Sequence, residues 1–249
     1  MTSPRRSLED VNPNNALLWA EFRTQYIYNG LSVTDNLGRY PGAPKTLLMG
    51  DGTTASTIPA QIAGKKGFNF AGSQYVDTGI IDPFERTDKF SIFVFYSKYG
   101  SSNAFILGNN DAAQDNKGIG FYFHGTSLLT SERTLVFANK WDTNMIYTSN
   151  FCNQNLFNSF GITSNGSSTT AGINLYSDGI NTSQTAQVNA LTASVKNGKP
   201  FLLAARHNGS SKTSISGCNI HFVVIFPWDL TPQQIQYLDR LVRTKINQP

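Results

Sequence analysis

The stretch Ser216 to Lys245, SGCNIHFVVIFPWDLTPQQIQYLDRLVRTK, constrains the fold more than any other part of this chain. Asn219 to Phe226 is an apolar, β-branched and aromatic run, too short and too closely flanked by breakers for a globular helix. It reads as a strand buried on both faces. Pro227 stops it, because proline has no amide to give a central ladder. Thr231 then stands where a helix cap belongs, with Pro232 at the first helical position and Gln234 at the capping-box position. Ile235, Leu238, Leu241 and Val242 share one helical face, while Arg240, Arg243 and Lys245 gather toward the C-terminal end, where positive charge suits the dipole. Trp228 reads as a packing residue between strand and helix.

The rest of the chain reads as short strands and polar turns. Met1 to Asn15 is polar and carries Arg5, Arg6, Pro4 and Pro13, so residues 1–15 are expected to form a flexible arm and residues 16–249 one domain. Strands are expected at Ala16–Phe22, Lys89–Lys98, Phe105–Gly108, Ile119–His124, Thr134–Lys140 and Pro200–Arg206. Phe157–Thr163 should pair with Ala171–Ser177, and Asp178-Gly179 is a favoured two-residue hairpin turn. The passage YIYNGLSVTDNLGRYPG, starting at Tyr26, reads as loop-rich. No internal repeat or linker divides the chain.

Several of these segments, in order, resemble laminin-G-like domains of the concanavalin A-like lectin/glucanase superfamily. The marks are Asp35 to Gly38 as Asp-x-x-Gly, then GFNFAGSQYVDTG with Phe70, Gly72, Ser73, Tyr75 and Val76 in place. FGITSNGSSTTAGINLYSDGI from Phe160 to Ile180 and the closing DLTPQQIQYL complete them. The resemblance implies an all-β fold, a two-sheet antiparallel jelly-roll sandwich with a short C-terminal helix.

Only 14% of the 249 residues are charged, and the net charge of +4 comes from scattered basic residues, so no nucleic-acid partner is expected. No apolar stretch is long enough to span a bilayer, and Met1 to Asp10 lacks the apolar core of a Sec signal. The expectation is a chain made in a host cytoplasm and not secreted. Cys152 and Cys218 are expected as two reduced thiols, with one long-range bridge as the alternative.

Glycosidases of this superfamily carry paired carboxylates on one strand face, and Glu9, Glu21, Glu85 and Glu132 show no such spacing. No nucleophile-elbow or phosphate-loop motif occurs, and His124, His207 and His221 lack metal-ligand spacing. The chain therefore reads as a non-enzyme, with glycan hydrolysis the least favoured of three readings. Calcium is the one cofactor considered: the loop Asn109, Asn110, Asp111, Asp115 and Asn116 is rich in hard oxygen donors, with Asp111 and Asp115 as the metal candidates, although Asn and Asp also dominate ordinary turns. For a sugar, Tyr122 and Tyr176 alternate with apolar strand residues and could face outward, while Trp141, Asn144 and Tyr147 fall in a loop.

Domains that resemble laminin G recur in phage structural proteins, so the resemblance implies a virion component, such as a bacteriophage head-decoration, fibre or tail protein. Its partners would be other virion proteins, with a homo-oligomer allowed. The alternative is a soluble lectin or adhesin that binds cell-surface glycan.

Overall fold

The computed structural model describes residues 7–22, 25–62, 66–99, 104–125, 130–140, 144–153, 158–167, 169–182, 185–189, 191–214 and 216–247. Their named strands pair antiparallel into two large sheets and one small hairpin, with a single α-helix, Pro232–Asn247, at the end. This is the two-sheet jelly-roll sandwich with a C-terminal helix.

The closing strand Ser216–Phe226 is central, as its apolar run requires. It lies between Lys89–Tyr99 and Phe68–Gly72, and its last residues also pair with Leu18–Ala20, where Leu18 faces Ile225. Beyond Lys89–Tyr99 the same sheet continues through Asn158–Asn165 and Ile173–Ser177 to Ile180–Thr182. Asp178 and Gly179 make the last hairpin with φ of 51° and 75°, the left-handed pair that a two-residue turn needs.

The second sheet runs from Thr185–Asn189 through Asn144–Asn153, Thr130–Lys140, Gly118–Gly125, Ala104–Gly108 and Pro200–Leu203. It then passes through Val76–Ile81, Thr46–Met49 and Leu31–Asp35 to Tyr26–Tyr28. Two stretches expected as loop are strands. Tyr26–Tyr28 and Leu31–Asp35 are a hairpin turned by Asn29-Gly30, and Asn144–Asn153 pairs along its length with Thr130–Lys140. In both cases the partner is the neighbouring strand in sequence, and in the first the Asn29-Gly30 turn was itself a local hairpin signal.

Alternation divides the apolar side chains into two layers. Phe90, Ile92, Val94 and Tyr96 join Ile220, Val223 and Ile225 in the core between the sheets, facing Leu107, Phe121, Phe201 and Leu203. Phe93, Phe95, Phe222, Val224 and Phe226 point the other way and are covered by Trp19, Trp228 and the helix residues Ile235, Leu238 and Val242. Trp19 packs edge-on to Phe222 at 5.3 Å and Phe226 at 6.3 Å.

The helix starts as its sequence specifies: Gln234 N–H donates to Thr231 Oγ1 and Thr231 N–H donates to Gln234 Oε1. Its basic residues do more than suit the dipole. Arg243 bridges Asp239 at 2.9 Å and Asp178 at 2.6 Å, and Lys245 reaches Glu21 at 2.5 Å, so the helix is tied to the sheet by charge as well as by its apolar face. Residues 7–15 form two short 3₁₀ turns; Gln234 Nε2 donates to Ser7 O, and Val11 is buried in the helix-side cluster. Cys218 is a buried free thiol, which burial pushes up to about 12 in pKa. The side chain of Cys152 lies outside the described residues.

Candidate functional site

A group of buried polar residues, Asn109, Asn110, Asp111 and His207, lies where the loop 109–117 meets the hairpin Ala205–Asn208 and Ser211–Ser214. Asp111 joins loop to hairpin: its backbone bridges Lys117 on one side and His207 on the other. Its carboxylate accepts from Gly209 N–H at 2.8 Å, Ala113 N–H at 3.1 Å and Gln114 Nε2 at 2.9 Å. Burial alone would raise the Asp111 pKa, but these donors outweigh it and hold the carboxyl below the usual range.

That arrangement bears on Asp111 as a metal candidate. A carboxylate already accepting three N–H bonds directs its lone pairs at donors rather than at a cation. Asp115 is exposed on the left-handed residue that ends the loop's 3₁₀ turn, with φ of 54°. No cluster of three or more His, Cys, Asp or Glu side chains occurs among the described residues. The donor set fits a turn-holding aspartate.

Beside Asp111 lies a buried amide network. Asn109 Oδ1 accepts from Ile119 N–H at 2.9 Å, and its Nδ2 donates to Asp82 at 2.9 Å. Asn197 Nδ2 donates to the carbonyls of Asn109 and Lys117, at 2.6 and 2.7 Å, while Asn197 N–H donates to Asp82. His207 donates from Nε2 to Pro200 O at 2.8 Å. Its burial lowers the imidazole pKa below the ordinary value, so His207 is held neutral at pH 7. Buried polar groups cost stability unless bonded, and these bonds make the loop and the hairpin one rigid surface.

Arg206 stands on this surface. It is half-buried, and among the described residues Asn116 Oδ1, 3.3 Å from Nη1, is its one hydrogen-bond partner. Its Nε is buried without one. Beneath it lies Tyr122, buried and packed edge-on to Phe105 at 4.7 Å. Burial raises the Tyr122 pKa, and the Arg206 charge only partly opposes this.

The sequence-predicted residues therefore separate. Tyr122 is at the site but does not face outward: alternation identifies a second sheet face, and here that face is itself covered. Tyr176 is on the other sheet, buried with Phe93 and Ile235 under the helix, and it too does not face outward. Asn144 and Tyr147 belong to a strand rather than a loop; backbone register places Tyr147 opposite Val136, which is opposite Gly120. Trp141, and the side chains of Asn144 and Tyr147, lie outside the described residues. Sequence reading missed Arg206, Asn116, Asn197 and His207 as one surface. The local signal was a polar pair, Arg206-His207, closing the apolar run FLLAA.

No family model matches the chain, and no curated protein does. Solved structures do. The sialidase of Trypanosoma rangeli superposes over 96% of this chain with TM-score 0.61 at 11% identity, and this chain spans 34% of that one. A botulinum neurotoxin serotype C1 binding domain matches 93% of the chain with TM-score 0.58 at 13% identity, over 53% of its own length. The CBM40 module of a Ruminococcus gnavus IT-sialidase, bound to α2,3-sialyllactose, matches 70% of the chain and 97% of itself, with TM-score 0.52 at 11% identity. At such identities the likeness is one of fold: this chain shares a jelly-roll architecture with a carbohydrate-binding module and a toxin binding domain.

Proposed function

We propose that this chain is a carbohydrate-binding domain that works by binding rather than by glycoside hydrolysis, and that it uses the surface around Arg206. The observation that carries the reading is Arg206 itself, held on a polar surface by one amide among the described residues, with most of its guanidinium fork unbonded among them. A planar fork of donors suits a carboxylate, as in an acidic sugar, better than a neutral hydroxyl. The fold shared with a module bound to sialyllactose supports the same class of ligand.

Two carboxylates do converge, Asp178 and Asp239, but both are bonded to Arg243. Such a guanidinium-locked pair supports a structural role over the acid and base of a glycosidase. The virion placement, the laminin-G assignment and the unsecreted location rest on the sequence marks alone; the structural likeness supports the glycan-binding alternative.

The test is a broad glycan array probed with the purified chain, in calcium and in chelator. The expected result is saturable binding to acidic glycans, unchanged by chelator and reduced at least about tenfold by Arg206→Ala, the loss of one charge-assisted bond or more. Binding that Arg206→Ala leaves intact would move the site elsewhere. Calcium dependence would overturn the reading of Asp111 as a turn-holding residue.

A further inference from the structure

Ser97 and His221 stand 124 positions apart in the chain and 2.6 Å apart in the fold, Oγ to Nε2. Neither belongs to the surface around Arg206: both lie on the helix-side face of the sheet built around the closing strand. The contact depends on a β-bulge. Ile220 opposes Tyr96 and Phe222 opposes Phe95, so His221 is the extra residue of the closing strand. The bulge turns the imidazole toward its neighbours instead of into the ladder's alternation.

The protonation pattern of the ring follows from its partners. His221 Nδ1 is hydrogen-bonded to the carbonyl oxygen of Lys66, and a carbonyl only accepts. Nδ1 therefore carries the proton in the neutral ring, Nε2 presents its lone pair, and the Ser97 hydroxyl donates to it. Gly67 makes room for this, since a Cβ there would sit 2.5 Å from Nδ1. His221 is buried while Ser97 is half-buried, so Ser97 is the less enclosed member of the pair.

A donor stands next to the pair. Asn219 is opposite Ser97 in the ladder, and its Oδ1 accepts from Asn69 Nδ2 at 2.6 Å on the strand to its other side. This leaves Asn219 Nδ2, which has no hydrogen-bond partner among the described residues, for the Ser97 side. A nucleophile, a base with its tautomer fixed by a third group, and an amide donor are the parts an acyl-transfer site needs.

We propose that Ser97, activated by His221, is the nucleophile of a site that cleaves small carboxylic esters, with Asn219 Nδ2 stabilising the oxyanion. As Ser97 Oγ bonds to the ester carbonyl carbon, its proton passes to His221 Nε2 and the carbonyl electrons move to oxygen beside Asn219. The carbonyl re-forms, the bond to the alcohol oxygen breaks, and His221 returns the proton to that oxygen. Water then attacks the acylated Ser97 with His221 again taking a proton, which releases the carboxylic acid and restores the hydroxyl.

The experiment treats the full chain with a fluorophosphonate probe, maps the adduct by mass spectrometry, and follows p-nitrophenyl acetate hydrolysis. The expected result is one adduct, on Ser97, absent in Ser97→Ala, with hydrolysis falling about 100-fold or more in Ser97→Ala and His221→Gln, the usual range for a positioned base and nucleophile. Asn219→Ala should lower the rate at saturating ester while leaving KM nearly unchanged. Ser97→Ala removes a single oxygen, so a matching melting curve shows that it folds even where His221→Gln does not. No adduct, an adduct elsewhere, or wild-type hydrolysis by Ser97→Ala overturns the proposal and leaves the pair as a packing bond.

Discussion

The two sheets are covered on their outer sides by different means. On the closing strand's sheet the cover is apolar: Trp19, Trp228 and the helix residues Ile235, Leu238 and Val242 over a field of phenylalanines. On the other sheet the cover is a loop and a hairpin knit by Asp82, Asn109, Asp111, Asn197 and His207. The apolar cover is stabilised by area, which tolerates small shifts of position. The polar cover is stabilised by directed bonds, which do not, and it is the one that presents a fixed Arg206.

The sharpest way to break this contrast is to remove the largest piece of the apolar cover. Trp19→Ala should cost about 3–5 kcal/mol, read by denaturant unfolding, since a fully buried indole is lost and a cavity remains. Next, Asn109→Ala should cost about 1–3 kcal/mol, because the Ile119 amide and the Asp82 carboxylate lose a buried partner. If Asn109→Ala proved the more damaging of the two, the polar network would be the true keystone of the sandwich.

Acid should then separate the covers. His207 has its pKa depressed, so the unfolded chain binds a proton at higher pH than the fold does; stability is whole above about 6.5 and falls as pH drops below it. Asp111, also depressed, holds its contribution above the ordinary carboxylate range and loses it as pH falls through its own lower value. Melting temperature measured from pH 7 to 5 should therefore decline, with a shallower decline in His207→Gln. An unchanged slope would remove His207 from the account. The smallest effect should come from Lys89→Ala: its ion pair with Asp229 is 3.4 Å long and exposed, and such pairs contribute about 0–1 kcal/mol in chemical denaturation.

What could be read from the sequence was local or periodic. The capping box of Thr231 and Gln234, the turn at Asp178-Gly179 and the burial of Ile235, Leu238 and Val242 each follow from residues within a few positions of one another. Asp35 to Gly38 was legible as a motif, though the residue that ties it down is Asn36, whose side chain bonds Trp19, Gly38, Leu17 and Pro44. Tyr122 and Tyr176 were misread because a period of two separates faces without telling which face meets solvent. Arg206 with Asn116, and Ser97 with His221, were illegible for a different reason: the partners stand 90 and 124 positions apart in the chain, and the second pair also needs a bulge that no local pattern announces.

The position of the closing strand sets an order of events. Because Ser216–Phe226 stands between Lys89–Tyr99 on one side and Phe68–Gly72 and Leu18–Ala20 on the other, the strands on its two sides stay unjoined until it is placed. Until then the edges of those strands are open to wrong partners. Long-range pairing is therefore the slow step of folding, and this buried apolar strand is the one that completes the sheet.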